Sequence, residues 1–143
     1  MKLEDIMTRQ VVKIHPEESV AVAARQLTHY NIGALPVCDR EGKLCGVLTD
    51  RDLVTRCLAA NKAPEQVRVC DVMTGRVITA GPDMDAGVAA HLMGKQQIRR
   101  LPVCDHAGKL CGMVSLGDLA QQEDCSYDAA DALGEICNGI SRR

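Results

Sequence analysis

Two short segments carry residue types suited to chemistry: Thr49-Asp50-Arg51-Asp52 and Ser115-Leu116-Gly117-Asp118. In each, a hydroxyl is followed three residues later by a carboxylate, where an apolar run gives way to a helical pattern. An ionised Asp is an acceptor only, which suits it to receive both hydroxyls of a ribose. A helix N-terminus offers free N–H groups to a phosphate, and the neighbouring hydroxyl adds a donor. The same spacing also describes a capping box, in which hydroxyl and carboxylate merely satisfy the first backbone N–H groups of a helix. Both readings stand on spacing alone, and recurrence at two equivalent junctions shifts weight toward the first.

A second candidate is Arg99-Arg100 in QIRRLPV, which faces Gly33-Ala34 in the matching stretch NIGALPV. Adjacent guanidiniums can hold phosphate oxygens through paired hydrogen bonds, or can simply be solvated surface charge. Small residues in one copy leave room where the other copy supplies charge. A third candidate is cysteine. Cys38 and Cys45 flank one turn, and Cys104 and Cys111 flank its twin, so each pair is expected to face across a hairpin as a redox pair, a metal site or plain packing. Zinc sites favour four converging ligands at short spacings, which C-x6-C does not supply. No nucleophile–base pattern and no Gly-rich phosphate loop is present, and nothing in the chain argues for an enzyme.

These candidates sit in a duplication. LPVCDREGKLCGVLTDRDL (35–53) returns as LPVCDHAGKLCGMVSLGDL (101–119), and LEDIMT (3–8) aligns with VCDVMT (69–74) at the same shift of 66. Residues 5–53 and 71–119 agree at 21 of 49 positions. Such a unit does not easily bury its own apolar face, so two copies are expected to pack together with the function in the cleft between them. Val11–Ile14 reads as a strand ended by Pro16. Ser19 and its twin Asp85 read as helix N-caps, with Val20, Ala23, Ala24 and Leu27 at helical spacing and Asn31 as the stop. Ala34–Cys38 and Leu44–Leu48 read as a hairpin turning at Gly42. A helix over 50–60 is expected to bury Leu53, Val54, Cys57 and Leu58. The second copy replays β-α-β-β-α, and 126–140 reads as a further helix with Ala129, Ala130, Leu133, Ile136, Cys137 and Ile140 on one apolar stripe. The class is α/β (α+β), with repeats at 1–66 and 67–122 and a helical tail at 123–143.

Bulk properties narrow the function. The 143 residues are 46% hydrophobic and 25% charged, with a net charge of −2, which offers no broad attraction to nucleic acid or acidic membranes. Tyr30 and Tyr127 are the only aromatics besides histidine, too few for a base-stacking platform. The N-terminus has no signal-peptide pattern and no run is long enough to span a membrane, so a cytoplasmic protein with free thiols is expected.

The succession DIMT…V…P…SV…A…NIGALPVCD…G…GVLTDRDL resembles the CBS domain, named for cystathionine β-synthase. The second copy, DVMT…P…IRRLPVCD…GKLCGMVSLGDL, resembles it equally. The resemblance spans about residues 3–120 and points to a stand-alone CBS pair, or Bateman module. It implies a pseudo-twofold pair with two clefts binding AMP, ADP, ATP or S-adenosylmethionine. It further implies that Asp118 and Ser115 meet ribose and phosphate in one cleft, joined by Thr8, Val12, Gly33, Met113, Arg99 and Arg100. Asp52 and Thr49 would do so in the other, joined by Thr74, Ile78, Gly33, Ala34 and Val47. It also implies a homodimer and an effector on a separate chain. Two alternatives remain: an interaction module with vestigial clefts, and a cysteine-based redox or metal sensor.

Overall fold

Each hairpin is closed by an aspartate and a glycine. In the first, Asp39 Oδ1 accepts from the backbone N–H groups of Glu41 and Lys43, both at 2.9 Å, while Gly42 takes a φ of 84° that L residues rarely adopt. Asp105 and Gly108 repeat this, with Asp105 Oδ1 accepting from Ala107 and Lys109 and Gly108 at φ 80°. The computed structural model describes residues 1–141, with side chains through Gly139. It is an α+β protein with two antiparallel two-stranded sheets, β1 (Ala34–Cys38) with β2 (Leu44–Thr49) and β3 (Arg100–Cys104) with β4 (Leu110–Ser115). The helices are α1 (Val20–Tyr30), α2 (Asp50–Leu53), α3 (Val69–Val72), α4 (Ala86–Gln96), α5 (Leu116–Ala120) and α6 (Ser126–Ser141). Among the described residues no helix is long and apolar enough to cross a membrane.

The caps fall where the sequence places them. Ser19 and Asp85 accept from Val22 and Val88, and Asn31 ends α1 in the left-handed region. Gln97 ends α4 in the same conformation at φ 56°, the position matching Asn31. The expected first strand of each copy, by contrast, is a single bridge, Ile14 to Val37 and Ala80 to Val103. The reason is proline. Ile14 N–H donates to Pro36 O and Cys38 N–H to Ile14 O, but the next rung toward Val12 needs an N–H that Pro36 lacks. Pro102 stops the ladder beyond Ala80 in the same way.

Two further expectations shift. The helix over 50–60 is one α turn followed by a π turn over Val54–Leu58. Leu53 and Cys57, four apart, take the inner face, so Val54 and Leu58 turn outward and are 55% and 59% exposed. In α6 the buried face is Ala129, Ala132 and Ile136, so Ala130, Leu133 and Cys137 lie outside it. The side chain of Ile140, the last member of the expected stripe, lies outside the described residues. Gly94 makes the docking of α6 possible, since a Cβ there would stand 2.9 Å from the Ala132 Cα.

The chain folds into two compact units, Met1–Val11 with Ile78–Arg143, and Val12–Val77. In the first, Leu3, Ala89, Ala90, Met93, Leu101, Val103, Val114 and Leu119 form the core, walled by α6. In the second, Val20, Ala23, Leu35, Val37, Leu48, Val69 and Val72 do so. The leading segment enters the first unit through an antiparallel bridge: Thr8 N–H donates to Met113 O and Met113 N–H to Thr8 O, at 2.9 and 3.0 Å. Thr74 and Val47 exchange the same two bonds in the second unit. Both approaches need a glycine. A Cβ on Gly112 would stand 2.8 Å from Thr8 O and from Met7 Sδ, and one on Gly46 would stand 2.5 Å from Thr74 O. Gly112→Ala should therefore lower stability by about 1–3 kcal/mol, as overpacking does. Gly134→Ala, where nothing stands within 4 Å inside α6, should raise it by about 0.5–1 kcal/mol. Thermal unfolding of the two variants checks both signs.

Candidate functional site

The hydroxyl–carboxylate pairs form at the ends of β2 and β4. Thr49 accepts from Asp52 N–H at 3.1 Å while Asp52 Oδ2 accepts from Thr49 N–H at 3.0 Å. Ser115 accepts from Asp118 N–H at 3.0 Å while Asp118 Oδ2 accepts from Ser115 N–H at 2.9 Å. Both are complete capping boxes, so the structural reading of this spacing holds in each copy. A capping box uses only one carboxylate oxygen, and the copies differ in what the other meets. Asp52 is 8% exposed, and its Oδ1 lies 3.8 Å from Arg56 Nε. The Arg56 guanidinium also donates to the carbonyls of Val72 and Met73 at 3.2 and 3.1 Å, fixing it inside its unit. The residue matching Arg56 is Gln122, and among the described residues Asp118 makes no ion pair. Arg56 escaped the sequence reading, though its place four residues after Asp52 on a helix was a usable signal.

Backbone bonds fix the residues before each Leu-Pro. Gly33 O accepts from Asp50 N–H at 3.0 Å, and Arg99 O accepts from Leu116 N–H at 2.8 Å. Ala34 lies opposite Thr49 and Arg100 opposite Ser115 in the two sheets. Arg99 and Arg100 are exposed, and among the described residues neither guanidinium has a carboxylate partner. The unit containing Asp118 thus also holds Thr8, Met113, Arg99, Arg100, Ser115 and the half-exposed Ile78. The unit containing Asp52 holds Val12, Gly33, Ala34, Val47, Thr49 and Thr74. Val12 packs partly against that unit's core.

Beside Arg99, Arg100 and Ser115 is a cavity of about 530 Å³ whose other wall is α6, through Ser126, Ala129, Ala130 and Leu133. Asp118 is not among the residues bordering it. The α6 residues were legible in sequence only as a docking stripe. Their part in a cavity depends on the helix presenting Ala130 and Leu133 away from the core.

The cysteine pairs sit at β-bulges instead of on regular rungs of the hairpins. A register shift after Val37 sets Cys38 opposite Leu44, and one after Val103 sets Cys104 opposite Leu110. Cys45 and Cys111 are the extra residues of the two bulges, each donating through its Sγ to the carbonyl two residues back. Burial pushes the Cys38 thiol up, against an opposing pull from Lys13, and burial also raises Cys45 and Cys125. A raised thiol stays protonated and is a poor nucleophile and metal ligand. Among the described residues no group of three or more His, Cys, Asp or Glu side chains converges.

Known proteins share this fold. The CBS domain family matches residues 3–59 and 69–123. The CBS domain-containing protein YhcV of Bacillus subtilis is 38% identical over 134 residues, covering 94% of each chain. The solved CBS domain pair of protein MJ0100, in complex with 5′-methylthioadenosine and S-adenosyl-L-methionine, superposes with a TM-score of 0.74 at 32% identity, over 85% of this chain and 94% of that one. CBSX2 in complex with AMP gives a TM-score of 0.72 at 30% identity, over 82% and 91%. Two matched repeats, each ending in a strand, a capping box and a short helix, make this chain a member of the CBS domain family.

Proposed function

We propose that the protein is a non-enzymatic regulatory module that binds an adenosine-containing nucleotide, with its preferred site on the unit that carries Asp118. The observation that carries this reading is an imbalance of charge. Arg99 and Arg100 have no carboxylate partner among the described residues, while in the other unit Arg56, at a position with no counterpart cation in the second repeat, sits against Asp52. An anionic ligand supplies the missing partner for the arginines. The Asp118 oxygen not used in the cap is left to accept from ribose hydroxyls. Ser115 lies two residues along β4 from Met113, the partner of Thr8. Support also comes from CBS pairs solved with AMP and with S-adenosyl-L-methionine. Asp52, Thr49, Ala34, Val47 and Thr74 form the weaker counterpart, because Arg56 already neutralises its carboxylate.

A ligand acts as a signal only if it binds one arrangement of the protein better than another. The reading is of a cytoplasmic homodimer that passes this difference to a separate effector chain. Val54 and Leu58, apolar yet more than half exposed, supply a surface suited to self-association. Val54→Asp together with Leu58→Asp should convert a dimer to a monomer in sedimentation, whereas a wild-type monomer would remove this part of the reading.

For AMP, with about 23 non-hydrogen atoms at roughly −0.3 kcal/mol each, binding near ten micromolar is expected. Calorimetry with AMP, ATP and S-adenosylmethionine should detect at least one ligand, and failure of all adenosyl compounds would sink the reading. Asp118→Asn keeps an oxygen for the Ser115 N–H but removes the second acceptor. It should weaken binding by about 1–3 kcal/mol while leaving the cap, and so the thermal midpoint, nearly intact. Asp52→Asn should leave the tighter site unchanged.

A further inference from the structure

We propose that the cavity beside Arg99 and Arg100 is a subsite for an uncharged, apolar group attached to the far side of a ligand's phosphate, with α6 as its wall. The nucleoside half of that ligand rests on the adenosyl reading above. The lining divides by chemistry. Arg99, Arg100 and the Ser115 hydroxyl supply anion-binding groups, while Ala120, Ala129, Ala130 and Leu133 form an apolar wall; Ser126, at its edge, donates its hydroxyl to Glu123 O, and no carboxylate borders the space. Its volume, about 530 Å³, lies within the range of small-molecule sites.

The division limits what can enter. A single phosphate satisfies the two guanidiniums, and a longer polyphosphate would press further charge against alanine and leucine without a cation to meet it. An uncharged organic substituent instead covers apolar surface that now faces solvent. Leu133 is 43% exposed in the free protein, so its burial is there to be gained. Asp118 does not border the cavity, so a ribose held by that carboxylate stays outside and only what lies beyond the phosphate reaches in.

The wall is held in place. Gly94 lets α6 approach to within van der Waals contact of α4, and His91 Nε2 meets Asp128 Oδ1 at 3.0 Å. Because α6 lies wholly beyond the matched residues 69–123 and has no twin in the first repeat, this subsite belongs to one unit only.

The test compares AMP with its methyl and hexyl phosphate esters by calorimetry on the full chain. The two esters carry the same charge and differ by five methylenes. A buried methylene is worth roughly fourfold in affinity, so burying only two makes the hexyl ester more than tenfold tighter. Leu133→Asn, which removes apolar surface without adding charge beside the arginines, should erase that gain and leave AMP binding within about twofold. Ala130→Gln, which fills the space, should do the same and serves if the first variant does not fold. Equal binding of the two esters, or a gain that survives both substitutions, overturns the proposal. If no adenosyl probe binds, the adenosyl reading has failed, and hexyl phosphate against methyl phosphate decides the cavity. A Leu133-dependent preference for hexyl phosphate then upholds it, and no preference overturns it.

Discussion

Two backbone hydrogen bonds between Thr8 and Met113 tie the first eleven residues to a unit whose remaining residues begin at Ile78. They form only because residue 112 has no side chain and because Met7 can lie across the bare backbone. Leu3, fully buried, anchors the same segment, and its N–H donates to Met84 O. The second unit solves the same problem with Thr74, Val47, Gly46 and Met73. This explains why Met-Thr and the strand glycine recur at matching places in both repeats: each pair is one contact written in two distant parts of the sequence. It also pairs the N–H and carbonyl of one residue on the outer edge of β2 and of β4, Val47 and Met113.

In the proposed function, the structural role of the capping boxes and a binding role need not compete. The cap occupies Asp118 Oδ2 and the Ser115 lone pair facing the helix, and it fixes the carboxylate's orientation before any ligand arrives. A side chain already held in one rotamer loses little entropy on binding, which is the advantage of preorganisation. The cap therefore aims the remaining oxygen as well as starting α5. In the other unit the same geometry is spent differently, since Arg56 stands at the remaining oxygen of Asp52.

Local signals were legible where one residue decides the outcome. Ser19, Asp85 and Asn31 each act through their own backbone or the next turn, and they fall as their types dictate. The strand boundaries of both hairpins were equally plain. What sequence periodicity could not supply was the effect of a distant partner. Val11–Ile14 has the composition of a strand but meets Pro36, whose missing N–H ends the ladder after one rung. Val54 and Leu58 fit a helical stripe, yet Leu53 and Cys57 already fill the inner face. The cysteine pairs were symmetric in spacing, and a one-residue bulge was enough to set Cys45 and Cys111 off register. For the site, the carboxylates, hydroxyls and arginines were visible as types. The use of Arg56 and of α6 was not, because each depends on which face of a helix turns inward.

The two copies distribute charge in opposite ways around one scaffold. Where the first has Gly33-Ala34 before Leu-Pro and Arg56 after the helix turn, the second has Arg99-Arg100 and Gln122. The first arrangement neutralises its carboxylate internally, with Arg56 also tied to two carbonyls. The second leaves a carboxylate and two guanidiniums without an ionic partner among the described residues of one unit. Moving Arg56 away from its partners would strand a mostly buried Asp52, so the first site resists recruitment of its cation by a ligand. The second has no such penalty to overcome. Duplication has preserved the hydrogen-bonded frame, including both caps and both glycine approaches. It has freed the charges around that frame to differ, and the proposed function rests on that difference in favouring the Asp118 unit for an anion.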